Sequence, residues 1–241
     1  MNRENSNAIV FLDAFNDIEA RLRLLAKAEH YVSFNELLKR TRFDNTVIKR
    51  YANDLREYAE LRNAIVHTRR EDFIIAEPHP SVVSHICRVR DQICNPPTVA
   101  TLKAKPVFVV SPETPMRDVL TQFAQRNFVR CPVVDQGRIV CLLTAKSITR
   151  WLASTGLTDQ TKVATVSNVI PFALSEKYMI STPETDIYTI YENFKLQLRN
   201  GGSLQAVLIT RKGDNHGPVT QMITASDLPA LFDLLEKGGH N

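Results

Sequence analysis

The sequence predicts an α+β chain: an all-α helical bundle followed by two copies of a β-α-β-β-α unit. Three observations predict it. The first 94 of the 241 residues contain no glycine and carry apolar residues at helical spacing. The breaker cluster Asn95-Pro96-Pro97-Thr98 then gives way to short β-rich runs. Finally, Pro-Glu-Thr occurs at Pro112 and again at Pro183, each time ahead of an apolar run with a Phe at the same place. The offset is 71 for the prolines (183 − 112) and for Phe123 and Phe194 (194 − 123).

The helical elements come first. Ile9, Phe11, Leu12, Phe15, Ile18, Leu22 and Leu25 recur every three or four residues, predicting an amphipathic helix over 7–29. Ser33 and Glu36 form a capping-box pattern for a second, shorter helix. From Asp44 to about Val66 no Gly or Pro interrupts a third, and Pro78 and Pro80 announce a fourth over 81–94. His79 and His85 fall in a loop and on a helix surface, with no partner pattern.

The repeated unit follows. Residues 106–110 ("PVFVV") predict a strand, and Thr114 with Pro115 opens a helix to about Gln125. "RCPVVD" and "RIVCLLT" flank Gln136-Gly137 as a hairpin, and "AKSITRWLAS" closes the unit as a helix. The second copy repeats the order with "KYMIS", a longer helix from "PETDIY" to Gly201-Gly202, the hairpin "LQAVLIT"/"GPVTQMIT" and the helix "ASDLPALFDLLEK". The offset grows to 74 at Pro132/Ala206 and 80 at Thr144/Thr224, so the insertions fall at a helix end and a turn, where length costs least. Organisation is therefore expected as 1–94, 99–157 and 165–236.

Composition is ordinary globular, 44% hydrophobic and 23% charged. Residues 1–94 carry 15 Lys/Arg against 14 Asp/Glu, and the remainder 15 against 12, so the net +4 is too diffuse to argue for a duplex-binding face. The four cysteines lack C-x-x-C pairing and the six histidines add no metal-ligand spacing, so free thiols and no metal are expected. No apolar run approaches about 18 residues. The expectation is a cytoplasmic protein with no membrane segment.

Pro132-Val133-Val134-Asp135, Gly137 and Thr144 in one copy, and Gly217, Met222-Ile223-Thr224 and Asp227 in the other, resemble the CBS domain, usually found in tandem as a Bateman module. The resemblance covers about 99–235. It implies a pseudo-two-fold pair packed sheet to sheet, with clefts for an adenosine nucleotide (AMP, ADP or ATP) or S-adenosylmethionine. It also implies that Asp227 reads the ribose hydroxyls, that Thr224 and Ser226 face the phosphate, and that Val129 and Arg130 complete the site. A carboxylate suits a vicinal diol because it only accepts hydrogen bonds, and anions sit favourably at helix N-termini. The first copy has Ser147 where the second has Asp227, so one competent cleft is expected. Cys141 and Gln221 replace the family's small glycine and are expected to crowd the groove.

Arg62-Asn63 followed by His67 matches the R-x(4–6)-H pattern of HEPN domains, and residues 1–94 are similar to them in helix order. That resemblance implies a homodimeric helical domain and, in its catalytic members, a metal-independent RNase. Asn63 and His67 then share a helical face, His acting as acid or base and Arg stabilising a phosphorane. Arg69 and Arg70 lie beyond, readable either as RNA-backbone contacts or as solvated charges after a helix. Three readings stay open: a nucleotide-sensing regulator of a dimeric helical effector, a ligand-gated HEPN endoribonuclease of toxin or defence type, and a non-catalytic dimeric adaptor with empty clefts.

Overall fold

The computed structural model describes residues 6–67, 77–156 and 158–237. Two compact units emerge: one of Met1–Pro97, Asp186–Glu192 and Leu231–Asn241, the other of Thr98–Thr185 and Asn193–Ala230.

In the first unit α1 (Asn7–Leu25) starts where the Ser6 hydroxyl accepts from Ala8 N–H, and stops at Ala26 ahead of Lys27 at φ 48°. That left-handed residue ends the helix before the predicted 29. In α2 (Phe34–Thr41) Ser33 caps Glu36 N–H at 3.4 Å. The predicted third helix is two: α3 (Thr46–Arg50), capped by Asn45, and α4 (Ala52–His67). The break at Tyr51 needs no Gly or Pro, because Tyr51 leaves helical geometry (ψ 12°) and its hydroxyl donates to Gln92 Oε1 at 2.9 Å. Gln92 in turn donates to the Leu235 carbonyl at 3.1 Å, so a buried polar chain fixes the turn. α5 (Pro80–Cys94) begins at His79, whose Nδ1 accepts from Ser81 N–H.

His85 lies half-buried and hydrogen-bonded to the Tyr58 hydroxyl, with the rings edge to face, so the partner that its sequence neighbours do not reveal comes from another helix. Phe11, Ile18, Leu55, Ile65 and Ile86 are wholly buried as the unit's core.

In the second unit α6 (Met116–Arg126) ends at Asn127 in the left-handed region (φ 53°) and feeds β1 (Arg130–Asp135). Gln136 and Gly137, at φ 44° and 77°, make the turn into β2 (Arg138–Thr144), antiparallel to β1. α7 (Ala145–Thr155) follows, then the short helices α8 (Asp159–Lys162) and α9 (Ile170–Ala173). β3 (Tyr178–Ser181) lies parallel to β4 (Ala206–Thr210), which pairs antiparallel with β5 (Val219–Ile223). In sequence α10 (Ile187–Arg199) comes between β3 and β4 and α11 (Leu228–Lys237) follows β5; α10 to Glu192 and α11 from Leu231 belong to the first unit. Among the described residues no helix is long and apolar enough to cross a membrane.

The strand expected at 106–110 shrinks to one parallel bridge, Val110 to Val133, with Val110 N–H on Pro132 O and Val134 N–H on Val110 O. Pro106 has no N–H to offer a ladder. The duplicated Pro-Glu-Thr has a structural role. Val99 and Ala100 N–H donate to Thr185 O and Pro183 O, while Val166 and Ser167 N–H donate to Thr114 O and Pro112 O. Each 3₁₀ turn, at Val99–Thr101 and Val166–Asn168, therefore docks on a Pro-Glu-Thr loop, the first on the second copy's loop and the second on the first copy's.

The two sheets share one apolar core in which Ile139 and Leu142 meet Ala206, Leu208 and Val219. The hairpin tips are tied as well, Ile139 N–H to Asn215 O and Gly217 N–H to Gly137 O, both 2.8 Å. Leu142 is fully buried there. Leu142→Ala should lower unfolding free energy by about 2–5 kcal/mol in denaturant titration; a loss under about 1 kcal/mol would mean that the seam contributes little.

Candidate functional site

β5 delivers Thr224 to the start of a 3₁₀ turn, Ala225–Asp227, that leads into α11. Asp227 folds back on that cap. Its Oδ2 accepts from Thr224 N–H at 2.9 Å and from the Thr224 hydroxyl at 3.0 Å, and its Oδ1 accepts from Lys105 Nζ at 3.0 Å. The Ser226 hydroxyl lies 3.3 Å from that of Thr224. Burial alone would raise the Asp227 pKa, but the Thr224 amide, the Lys105 ammonium and the Thr224 hydroxyl outweigh it and hold it below the ordinary carboxylate value.

From the first copy, the left-handed Asn127 turns the chain so that Phe128, Val129 and Arg130 lead into β1. Arg130 Nη1 donates to the Gln205 carbonyl. Burial lowers its pKa, opposed by Glu176 and Asp227.

These pieces enclose one cleft of about 230 Å³. Thr224, Ser226, Asp227, Val129 and Arg130, the five residues that the CBS resemblance implies, all line it. Sequence reasoning missed Lys105 and the apolar end of the cleft, where Phe108 and Phe128 stack at 6.3 Å beside Val107 and Met222. A Lys ahead of an apolar run was the only available signal for Lys105. Nothing local marks Phe108 as facing Phe128. Gln221 and Cys141, expected to crowd the groove, do not line this cleft; Cys141 is buried in β2 and Gln221 sits on β5. Burial pushes the thiols of Cys131 and Cys141 up to about 12 and about 11, which keeps both protonated.

The chemistry divides along the cleft. The aromatic end offers flat apolar surface, Asp227 offers acceptors, and Lys105 with Arg130 offers cations. Lys105 is held loosely, for its side chain is 78% exposed against 25% for Asp227, and such pairs contribute about 0–1 kcal/mol. In the first copy Ser147 occupies the position of Asp227. It is fully buried and closes a capping box on Thr144, donating to Thr144 O at 2.8 Å and accepting from Thr144 N–H at 2.9 Å.

The candidates on the helical unit lie on α4. Arg62 donates to Asn63 Oδ1 at 3.3 Å, and Asn63 is exposed. His67 is the last residue of α4, and its side chain, like Arg69 and Arg70, lies outside the described residues.

Residues 99–154 match the CBS domain family model. Nothing among curated proteins matches the chain. Among solved structures, the chain is similar to the CBS domain pair of protein MJ0100 in complex with 5-methylthioadenosine and S-adenosyl-L-methionine, at 17% identity over 57% of this chain and 96% of that one, with a TM-score of 0.41. A CBS domain-containing protein from Kribbella flavida gives 21% identity over 54% and 94%, TM-score 0.41. The CBS domain of the bacterial CNNM/CorC family Mg²⁺ transporter, solved in complex with ATP, gives 16% over 63% and 96%, TM-score 0.41.

A carboxylate whose folded pKa lies below its unfolded value of about 3.9 adds stability in full above that pH and loses it as pH falls through the lower folded value. The stability gap between the parent and Asp227→Asn should therefore be constant at neutral pH and narrow below about pH 4. A gap unchanged into strong acid would show that the carboxylate charge is not what the cap uses.

Proposed function

We propose that the chain is a regulatory sensor in which the cleft at Asp227 binds an adenosine nucleotide or S-adenosylmethionine and so controls the helical unit. The observation carrying this reading is the convergence of Asp227, Thr224, Ser226, Val129 and Arg130, drawn from both repeats, on a single cleft with an aromatic end. An adenine base suits the apolar surface beside the Phe108/Phe128 pair by stacking and area burial. The ribose hydroxyls suit Asp227 as donors to its oxygens. Phosphate or another charged tail suits Arg130, Lys105 and the hydroxyls of Thr224 and Ser226.

The cleft is smaller than the roughly 300–1,000 Å³ typical of ligand pockets. Lys105 stands across its acidic end, and releasing its weak pair with Asp227 both enlarges the space and frees a cation for the ligand. The ligand must favour one arrangement of the module for binding to regulate anything. In this reading residues 99–157 and 165–236 are the two CBS repeats, and residues 1–94 are a HEPN-like homodimeric effector working in the cytoplasm. The support for that effector is the helix order and Arg62-Asn63 with His67 on α4. Loss of labelled-RNA cleavage in His67→Ala would move the effector to the ribonuclease class.

Calorimetry with AMP, ATP and S-adenosylmethionine tests the cleft. Asp227→Ala should weaken the bound ligand about 10–100-fold, the worth of one or two charged hydrogen bonds. Lys105→Met should weaken a phosphorylated ligand more than adenosine itself. If no adenosyl compound binds the parent, or the parent and Asp227→Ala bind alike, the sensor reading fails.

A further inference from the structure

The helical unit holds a second cleft, of about 400 Å³, which shares only Asn63 with the candidates named above. Its walls are two stripes with the same spacing. Asn35, Lys39 and Arg42 stand at i, i+4 and i+7 along α2 and its C-cap, and Arg56, Glu60 and Asn63 repeat those intervals on α4. Residues so spaced share one helical face. The apolar part of the lining is Leu38 and Ala59, both buried. Three cations face one carboxylate, leaving the cleft at +2.

Those cations have no ionic partner among the described residues, although Arg56 Nη1 donates to Asn53 Oδ1 at 2.8 Å. Among the described residues no carboxylate comes within ion-pair distance of Lys39, Arg42 or Arg56, whereas the neighbouring Arg40 is paired with Glu36 at 3.0 Å. Arg42 Nε is buried with no hydrogen-bond partner, while its guanidinium lies 4.7 Å from the Phe43 ring centroid. A buried donor without an acceptor is costly, and an anion entering the cleft supplies the acceptor. Arg62 occupies Asn63 Oδ1, which leaves the Asn63 N–H₂ group as a further donor.

The helix dipole accounts for two of the three cations but not for Arg56. Lys39 and Arg42 sit at the C-terminal end of α2, where a cation is favourable, but Arg56 is in the second turn of α4, just beyond the end that favours anions.

We infer that this cleft binds the phosphate group of a small phosphorylated molecule of about nucleotide size. The volume falls within the roughly 300–1,000 Å³ range of small-molecule pockets. Glu60 in the wall accepts a hydroxyl from a sugar or polyol and repels an extended polyanion, so a small phosphoester fits better than a nucleic-acid strand. The site is separate from the Asp227 cleft, and the inference stands whether or not that cleft binds an adenosyl ligand.

The test is calorimetry on the full chain with uridine 5′-monophosphate, inorganic phosphate as competitor, and an oligouridylate in a parallel arm. The parent should bind the monophosphate, with inorganic phosphate competing and affinity falling as salt rises. The Lys39→Gln/Arg56→Gln double variant should bind at least about tenfold more weakly with an unchanged melting temperature, since both side chains are exposed. Glu60→Gln should bind several-fold more tightly, and Asp227→Ala should leave affinity unchanged, which separates this site from the other. Any of three results overturns the inference: no binding at millimolar monophosphate, equal affinity in the double variant, or binding of the oligouridylate with no competition from phosphate.

Discussion

The apolar seam between the two sheets is the constraint on which the rest of the second unit depends. Ile139 and Leu142 on β2 must find Ala206 and Leu208 on β4 and Val219 on β5, and the Gly137 and Gly217 turns must meet backbone to backbone. Once they do, residues distant in sequence are brought to one edge. Lys105, Phe108 and Arg130 from the first repeat then line the same cleft as Met222, Thr224 and Asp227 from the second. Neither repeat owns the cleft. This is also why the 3₁₀ turns cross over, each settling on the other copy's Pro-Glu-Thr loop and fixing the pair through backbone hydrogen bonds that any side chain tolerates.

Duplication made two equivalent caps, and one substitution made them different. Thr144 with Ser147 and Thr224 with Asp227 are the same device, a hydroxyl residue at the cap and an acceptor three positions on. In the first, the serine is small enough to be buried completely and bonds back to Thr144 O, so its capacity is consumed internally. In the second, the carboxylate has a second oxygen to spare, and among the described residues that oxygen accepts only from the exposed Lys105. A carboxylate held charged by its own cap, with one oxygen on a weak and releasable partner, is poised to accept a hydroxyl donor.

Much of this was legible in the sequence because its causes are local. Ser33 with Glu36, and Gln136-Gly137 between two β-branched runs, each specify their own backbone. The duplicated Pro-Glu-Thr betrayed the architecture. What escaped depends on partners far along the chain. The break at Tyr51 is set by Gln92, 41 residues away, and the strand at 106–110 reduces to Val110 because pairing partners are decided by the sheet, not by β-branched content. The site divides in the same way. Asp227 and Arg130 carried recognisable neighbours, whereas Lys105 and the Phe108/Phe128 pair gain their meaning from packing alone.

The central claim is that the Asp227 carboxylate holds a sugar by its hydroxyls, and its most direct measurement is a comparison of ligands that differ only there. AMP and its 2′,3′-dideoxy counterpart, titrated against the parent chain and against Asp227→Ala, isolate that interaction. The account predicts that the parent prefers AMP by at least about tenfold and that the preference disappears in the variant. Equal binding of the two ligands by the parent would contradict it.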